Sequence, residues 1–102
     1  MYLQMTVEQG AIQILMTIGA DPGLRGFKFA HMAIVKCYHD DTLMDGITKT
    51  LYPEIAKECG TTKDAVERNI RKVVHDCKSK HNTNKAFINA CVWFLKQLPD
   101  VE

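Results

Sequence analysis

The chain has 102 residues, 46% of them hydrophobic and 25% charged, which is the composition of an ordinary folded domain rather than of a disordered one. Thirteen Lys and Arg against twelve Asp and Glu leave a formal charge of +1, so bulk charge identifies no partner. No apolar run approaches the roughly eighteen residues that a membrane-spanning helix needs, and Met1 to Thr6 lacks the basic-then-apolar build of a signal peptide. The expectation is a single domain over residues 1–102, in the cytoplasm and not on a membrane.

Period-2 alternation is almost absent, whereas helical spacing recurs. A first helix is expected to open at Thr6, with Gln9 closing a capping box and Val7, Ala11, Ile14, Leu15 and Ile18 along one face. Gly19 ends it, and Asp21-Pro22-Gly23 reads as a turn. Gly26 to Tyr38 is apolar on most sides, as expected of the central helix of a small bundle, with His31 at the edge of the core. His39 to Thr42 begins a connecting turn or short helix. Pro53 suits the first turn of the next helix, and Gly60 its end.

In the fourth helix Thr61 and Asp64 are spaced as a capping box, and Val66, Ile70, Val73, Val74 and Cys77 form a regular stripe. The last helix starts near Thr83, with Phe87, Cys91, Phe94, Leu95 and Leu98 as its inward residues. These elements predict a compact all-α domain of five to six helices.

Ile55-Ala56, Gly60 and Val66 have the spacing of a helix-turn-helix. A small residue allows the helices to cross, Gly60 can take positive φ, and Val66 sets the angle of the second helix. Residues 63–85 hold seven basic and three acidic residues, while the segments on either side carry a slight acidic excess. At about 100° per residue, Arg68, Arg71, Lys72 and His75 lie opposite the apolar stripe, so burying the stripe turns the cations outward. That arrangement suits a recognition helix over about 62–78 in the major groove, where Arg can bond guanine bidentately. A solvated face laced with Asp64–Arg68 and Glu67–Arg71 pairs has the same spacing, but such pairs contribute only about 0.2–0.5 kcal/mol and leave the arginines available.

The four cysteines, Cys37, Cys59, Cys77 and Cys91, read as small buried hydrophobes. Cys37-x-His39 and His75-x-Cys77 have the composition of zinc ligands, but residues two apart on a helix point about 200° apart. No metal and no cofactor is therefore expected. Nor is an enzyme: the chain has no nucleophile–base–orienter set at recognisable spacing and no phosphate-cradling glycine loop.

Ile18-Gly19, Gly26-Phe27-Lys28-Phe29, Ala33-Ile34, Tyr38-His39-Asp40 and Gly46-Ile47-Thr48-Lys49 form one group of motifs. Leu51-Tyr52-Pro53-x-Ile55-Ala56-Lys57 and Thr61-Thr62-x-x-x-Val66-Glu67-Arg68-x-Ile70-Arg71 follow. In these stretches, over roughly residues 12–78, the chain resembles the C-terminal DNA-binding effector domains of the stage-zero sporulation regulator family. The resemblance implies a six-helix domain that reads a short promoter box, with tandem copies head to tail on double-stranded DNA. It also implies that Glu67 and Arg68 face base edges, that Arg71 meets a base or phosphate, and that Thr61 and Thr62 sit near the backbone at the helix entry. Lys63 and Lys72 are expected phosphate contacts on electrostatic grounds.

The chain departs from the family in three places. Asp64-Ala65 stands where the family usually has Ser-Arg. Lys78-Ser79-Lys80-His81-Asn82 leads almost directly into the last helix, without the family's extra short helix and basic loop, a region associated with contacts to the RNA polymerase sigma subunit. No phosphoacceptor receiver domain lies within the 102 residues, as expected of an excised domain or a stand-alone relative. A competing expectation is an interaction module that pairs with a full-length regulator, through a homodimer-type surface of Ile88, Val92 and Trp93 on the last helix.

Overall fold

Local signals account for most of the helix ends. In the computed structural model, which describes residues 5–77, 81–99 and 101, Thr6 caps α1 (Val7–Thr17). Its hydroxyl accepts from the Gln9 N–H at 3.1 Å, and the Gln9 side chain accepts from the Thr6 N–H at 3.0 Å. Gly19 (φ 88) turns the chain out of the helix, and the Asp21 carboxylate accepts from the Gly23 N–H in the following turn.

The central helix, α2 (Arg25–His39), buries Phe29, Ala30, Ala33, Ile34 and Cys37 and packs against every other α-helix. His31 is half-buried, its Nε2 2.9 Å from the Glu8 carbonyl oxygen of α1. A 3-10 turn (Asp41–Gly46) and a π-turn (Ile47–Leu51) then run straight into α3 (Tyr52–Cys59). Coiling thus begins at Asp41, within the stretch where the sequence places a connecting turn or short helix, and runs on to Pro53. The Tyr52 N–H reaches back to the Ile47 carbonyl, and Pro53 sits in the first α-turn, where a missing N–H costs least.

Helix α4 (Lys63–Asp76) buries Val66, Ile70, Val73 and Val74, with Cys77 buried just beyond its end. It stops at Asp76 rather than near 78; residues 78–80 of the short connection lie outside the described ones. Helix α5 (Asn84–Gln97) starts from Thr83, whose hydroxyl accepts from the Ala86 N–H at 3.1 Å.

One apolar core runs through all five α-helices, and an isolated bridge between Met5 and Val101 is the only β-pairing among the described residues. Two close approaches shape it. A Cβ at Gly26 would lie 2.1 Å from the Asn69 carbonyl oxygen, so the backbones of α2 and α4 meet there. At Gly10 it would lie 2.6 Å from a Leu95 methyl, so α1 rests on α5.

The buried arc of α5 differs from the expected stripe. Ile88 and Val92 are core residues, which removes them from the expected surface patch, and Phe94, expected inside, is 57% exposed. Trp93 is exposed as expected, its ring edge-on to that of Phe94 at 5.5 Å. The reason is geometric: α5 lies against α1, α2 and α4, and these neighbours close over the Ile88–Val92 side. Cys37, Cys77 and Cys91 are buried and Cys59 is half-buried, so three of the four cysteines behave as core residues and the fourth flanks the core. Cys37 points inward while His39 is exposed at the end of α2, so the two do not converge.

Candidate nucleic-acid interface

The α3–α4 hairpin is built by a left-handed residue and a shifted cap. Gly60 (φ 66, ψ 39) ends α3, and both its N–H and that of Thr61 bond the Ala56 carbonyl, the latter at 2.9 Å. This tight C-terminal motif suits glycine because positive φ carries no Cβ penalty there. The cap of α4 is Thr62, not Thr61: the Thr62 hydroxyl accepts from the Ala65 N–H at 3.1 Å. Ala65 occupies the third helical position and has no side-chain acceptor, so no capping box closes. Asp64 sits in the first turn, where a carboxylate suits the helix dipole.

Helix α4 is sharply two-faced. Val66 and Ile70 are fully buried, whereas Arg68, Arg71, Lys72 and His75 are all exposed. Thr62 and Lys63 are exposed at the entry and Thr61 is half-buried. Glu67 is half-buried at the edge of the face, where it accepts from Arg71 Nη1 at 3.1 Å. Lys72 Nζ lies 3.8 Å from Asp76, a loose and solvated pair. The expected Asp64–Arg68 pair does not form; among the described residues Arg68 has no ion-pair partner. The fold therefore sets five of the seven residues singled out from the sequence, Thr62, Lys63, Arg68, Arg71 and Lys72, on the exposed end and face of α4, with Thr61 and Glu67 half-buried.

A polar side chain fixes the base of this face. Asn84, at the start of α5, donates from Nδ2 to the Tyr52 hydroxyl at 3.0 Å and to the Glu67 carbonyl at 3.1 Å. One amide thus joins α3, α4 and α5. Burial pushes the Tyr52 phenol above its ordinary value of 10.0, and the Asn84 hydrogen bond partly opposes that shift. On the same side a cleft of about 540 Å³ opens between the Met44–Lys49 segment, Tyr52, the Glu67–Arg71 edge of α4 and the Asn82–Lys85 entry to α5. Lys49 and Lys85 line it and were not among the residues singled out. Their signal in the sequence is faint: they stand 36 positions apart on elements that only packing brings together.

A family model for the C terminal of sporulation initiation factor Spo0A matches residues 11–93. The chain belongs to that family. The match runs from α1 into α5, further toward the C-terminus than the motif resemblance, and includes the whole α3–α4 hairpin. Members are DNA-binding effector domains of transcription regulators in sporulation and do not form an enzyme family, so this domain is a DNA-binding module. Among its described residues no helix is long and apolar enough to cross a membrane.

Proposed function

We propose that this domain binds double-stranded promoter DNA sequence-specifically, with α4 in the major groove. The observation that carries the proposal is the division of α4 into a buried Val66–Ile70–Val73–Val74 face and an exposed Arg68–Arg71–Lys72–His75 face. A groove about 12 Å wide admits one helix, and its floor presents guanine acceptors to an arginine fork. Arg68, free of intramolecular ion pairs among the described residues, reads a base edge beside Glu67. Arg71 contacts a base or phosphate, and Thr61, Thr62, Lys63 and Lys72 hold the backbone. Phosphate contacts supply most of the affinity and base contacts the preference.

Selection from random duplex DNA supplies the operator for the test. On that operator Arg68→Ala should cost about 1–3 kcal/mol and relax preference at one position. Lys72→Ala should weaken all sequences alike and lower the salt slope by about one. Equal binding by the wild type and Arg68→Ala would overturn the assignment.

A second reading, pairing with a full-length regulator, is favoured by Trp93 and Phe94 at 59% and 57% exposure. It rests on that ring pair alone, since Ile88 and Val92 are in the core. Sedimentation separates the two: dimers without DNA favour pairing, and dimers only on a tandem-site duplex favour the regulator.

A further inference from the structure

We propose that the cleft beside α4 seats the duplex backbone, with Lys49 and Lys85 binding phosphates of the strand that borders the groove on the Arg71 side. The proposal rests on the placement of α4 in the major groove given above and extends the contact surface beyond that helix. The cleft lies at one flank of the exposed face: Glu67 and Arg71 line it, while Lys72 stands about 100° further round α4 on the opposite flank. A helix lying in the groove has a phosphate strand on each side, so cations on neighbouring elements at its flank stand where one of those strands passes.

The chemistry of the lining favours a phosphodiester over an apolar guest. Three cations from three different elements, Lys49, Arg71 and Lys85, share the cleft with two carboxylates, Asp45 and Glu67. Arg71 already engages Glu67 at 3.1 Å. Among the described residues neither Lys49 nor Lys85 has an ion-pair partner, so a phosphate would replace water rather than an acid. Their spacing is held by the cleft's own frame: Asn84, adjacent to Lys85, bonds both Tyr52 and the backbone of Glu67. The π-turn that carries Lys49 continues without a break into Tyr52. The two lysines therefore stand on the same clamp that orients α4.

The test uses the full chain with Lys49→Ala, Lys85→Ala and the double substitution, titrated against a duplex of random sequence over a series of salt concentrations. Backbone contacts need no operator, so the unknown site sequence does not matter. Each phosphate contact contributes about 0.9 to the slope of log affinity against log salt. Each single variant should lose about one from the slope and the double about two, with affinity at 0.1 M salt down roughly tenfold or more. The ratio between selected and random duplex should stay unchanged, as should the thermal melt, because both side chains are exposed. A wild-type slope in the double variant, with Lys72→Ala still lowering it, would overturn the cleft while leaving α4 in the groove. The same slope with saturable shifts of the two lysines on adding inorganic phosphate would reassign the cleft to a free anion. No binding of any duplex by the wild type would overturn both proposals together.

Discussion

Gly26 and Gly60 are required for different physical reasons, and their substitutions should behave differently. At Gly60 a Cβ meets nothing within 4 Å, and only the positive φ of 66° opposes it. Gly60→Ala should therefore cost about 1 kcal/mol, a local backbone penalty. At Gly26 the added carbon meets the Asn69 carbonyl oxygen at 2.1 Å and a Val73 methyl at 2.6 Å. The oxygen belongs to helix backbone and cannot step aside, so α4 must move away from α2. Gly26→Ala should lower stability by about 1–3 kcal/mol or more, read as a shifted urea midpoint. It should also weaken DNA binding even where the protein remains folded, because Asn69 lies between Arg68 and the Arg71–Lys72 pair. The motif containing Gly26 was visible in the sequence; its reason, a helix crossing 43 residues away, was not.

The start of α4 is the element-scale case. Two adjacent threonines both have the chemistry of a cap, and the spacing to Asp64 favours Thr61. The structure assigns the role to Thr62 because the end of α3 takes Thr61 first. With Gly60 left-handed, the Thr61 N–H is bound to Ala56, which leaves the next residue extended at φ −106, ψ 155 to begin the new helix. Thr62→Ala should cost about 1 kcal/mol in unfolding free energy, and Thr61→Ala distinctly less, since the Thr61–Ala56 bond is made by backbone. A larger loss from Thr61→Ala than from Thr62→Ala in chemical denaturation would return the cap to Thr61. Helix α5 teaches a related lesson. Apolar residues occupy so much of its circumference that helical period alone cannot select the buried arc, and contact with α1, α2 and α4 selects the Ile88–Val92 side over Phe94.

At the scale of the whole molecule, the buried titratable groups make the fold sensitive to base. Burial raises the Cys37 thiol from 9.0 to about 11 and Cys91 to about 12, with Cys77 and the Tyr52 phenol also raised. Each of these groups ionises more readily in the unfolded chain. The unfolded state therefore loses protons first, and stability must fall as pH rises above 9. Lys36 acts in the same direction: its hydrogen bond to Glu58 raises it above 10.5, and the α2–α3 ion pairs are lost when it deprotonates. Urea midpoints should be level with respect to these groups up to about pH 9 and then decline through pH 11 to 12. A Cys37→Ala/Cys91→Ala variant, although less stable at neutral pH from lost packing, should show a shallower alkaline decline. An equal decline in both proteins would show that the thiols stay protected in the unfolded chain as well.

The helices, most of their caps and the opposition of apolar and basic faces on α4 follow from the sequence by itself. Each depends on residues within a turn or two of one another, and the period of the helix is enough to place them. The motifs from Ile18 to Arg71 likewise carry the family within the linear order. Only the tertiary structure decided which threonine caps α4, which apolar residues of α5 lie inside, and that Lys49 and Lys85 stand with Arg71 around one cleft. Those outcomes depend on what a neighbouring helix covers or presents. Burial and juxtaposition are properties of packed surfaces, and no single helix carries the identity of its neighbour in its own period.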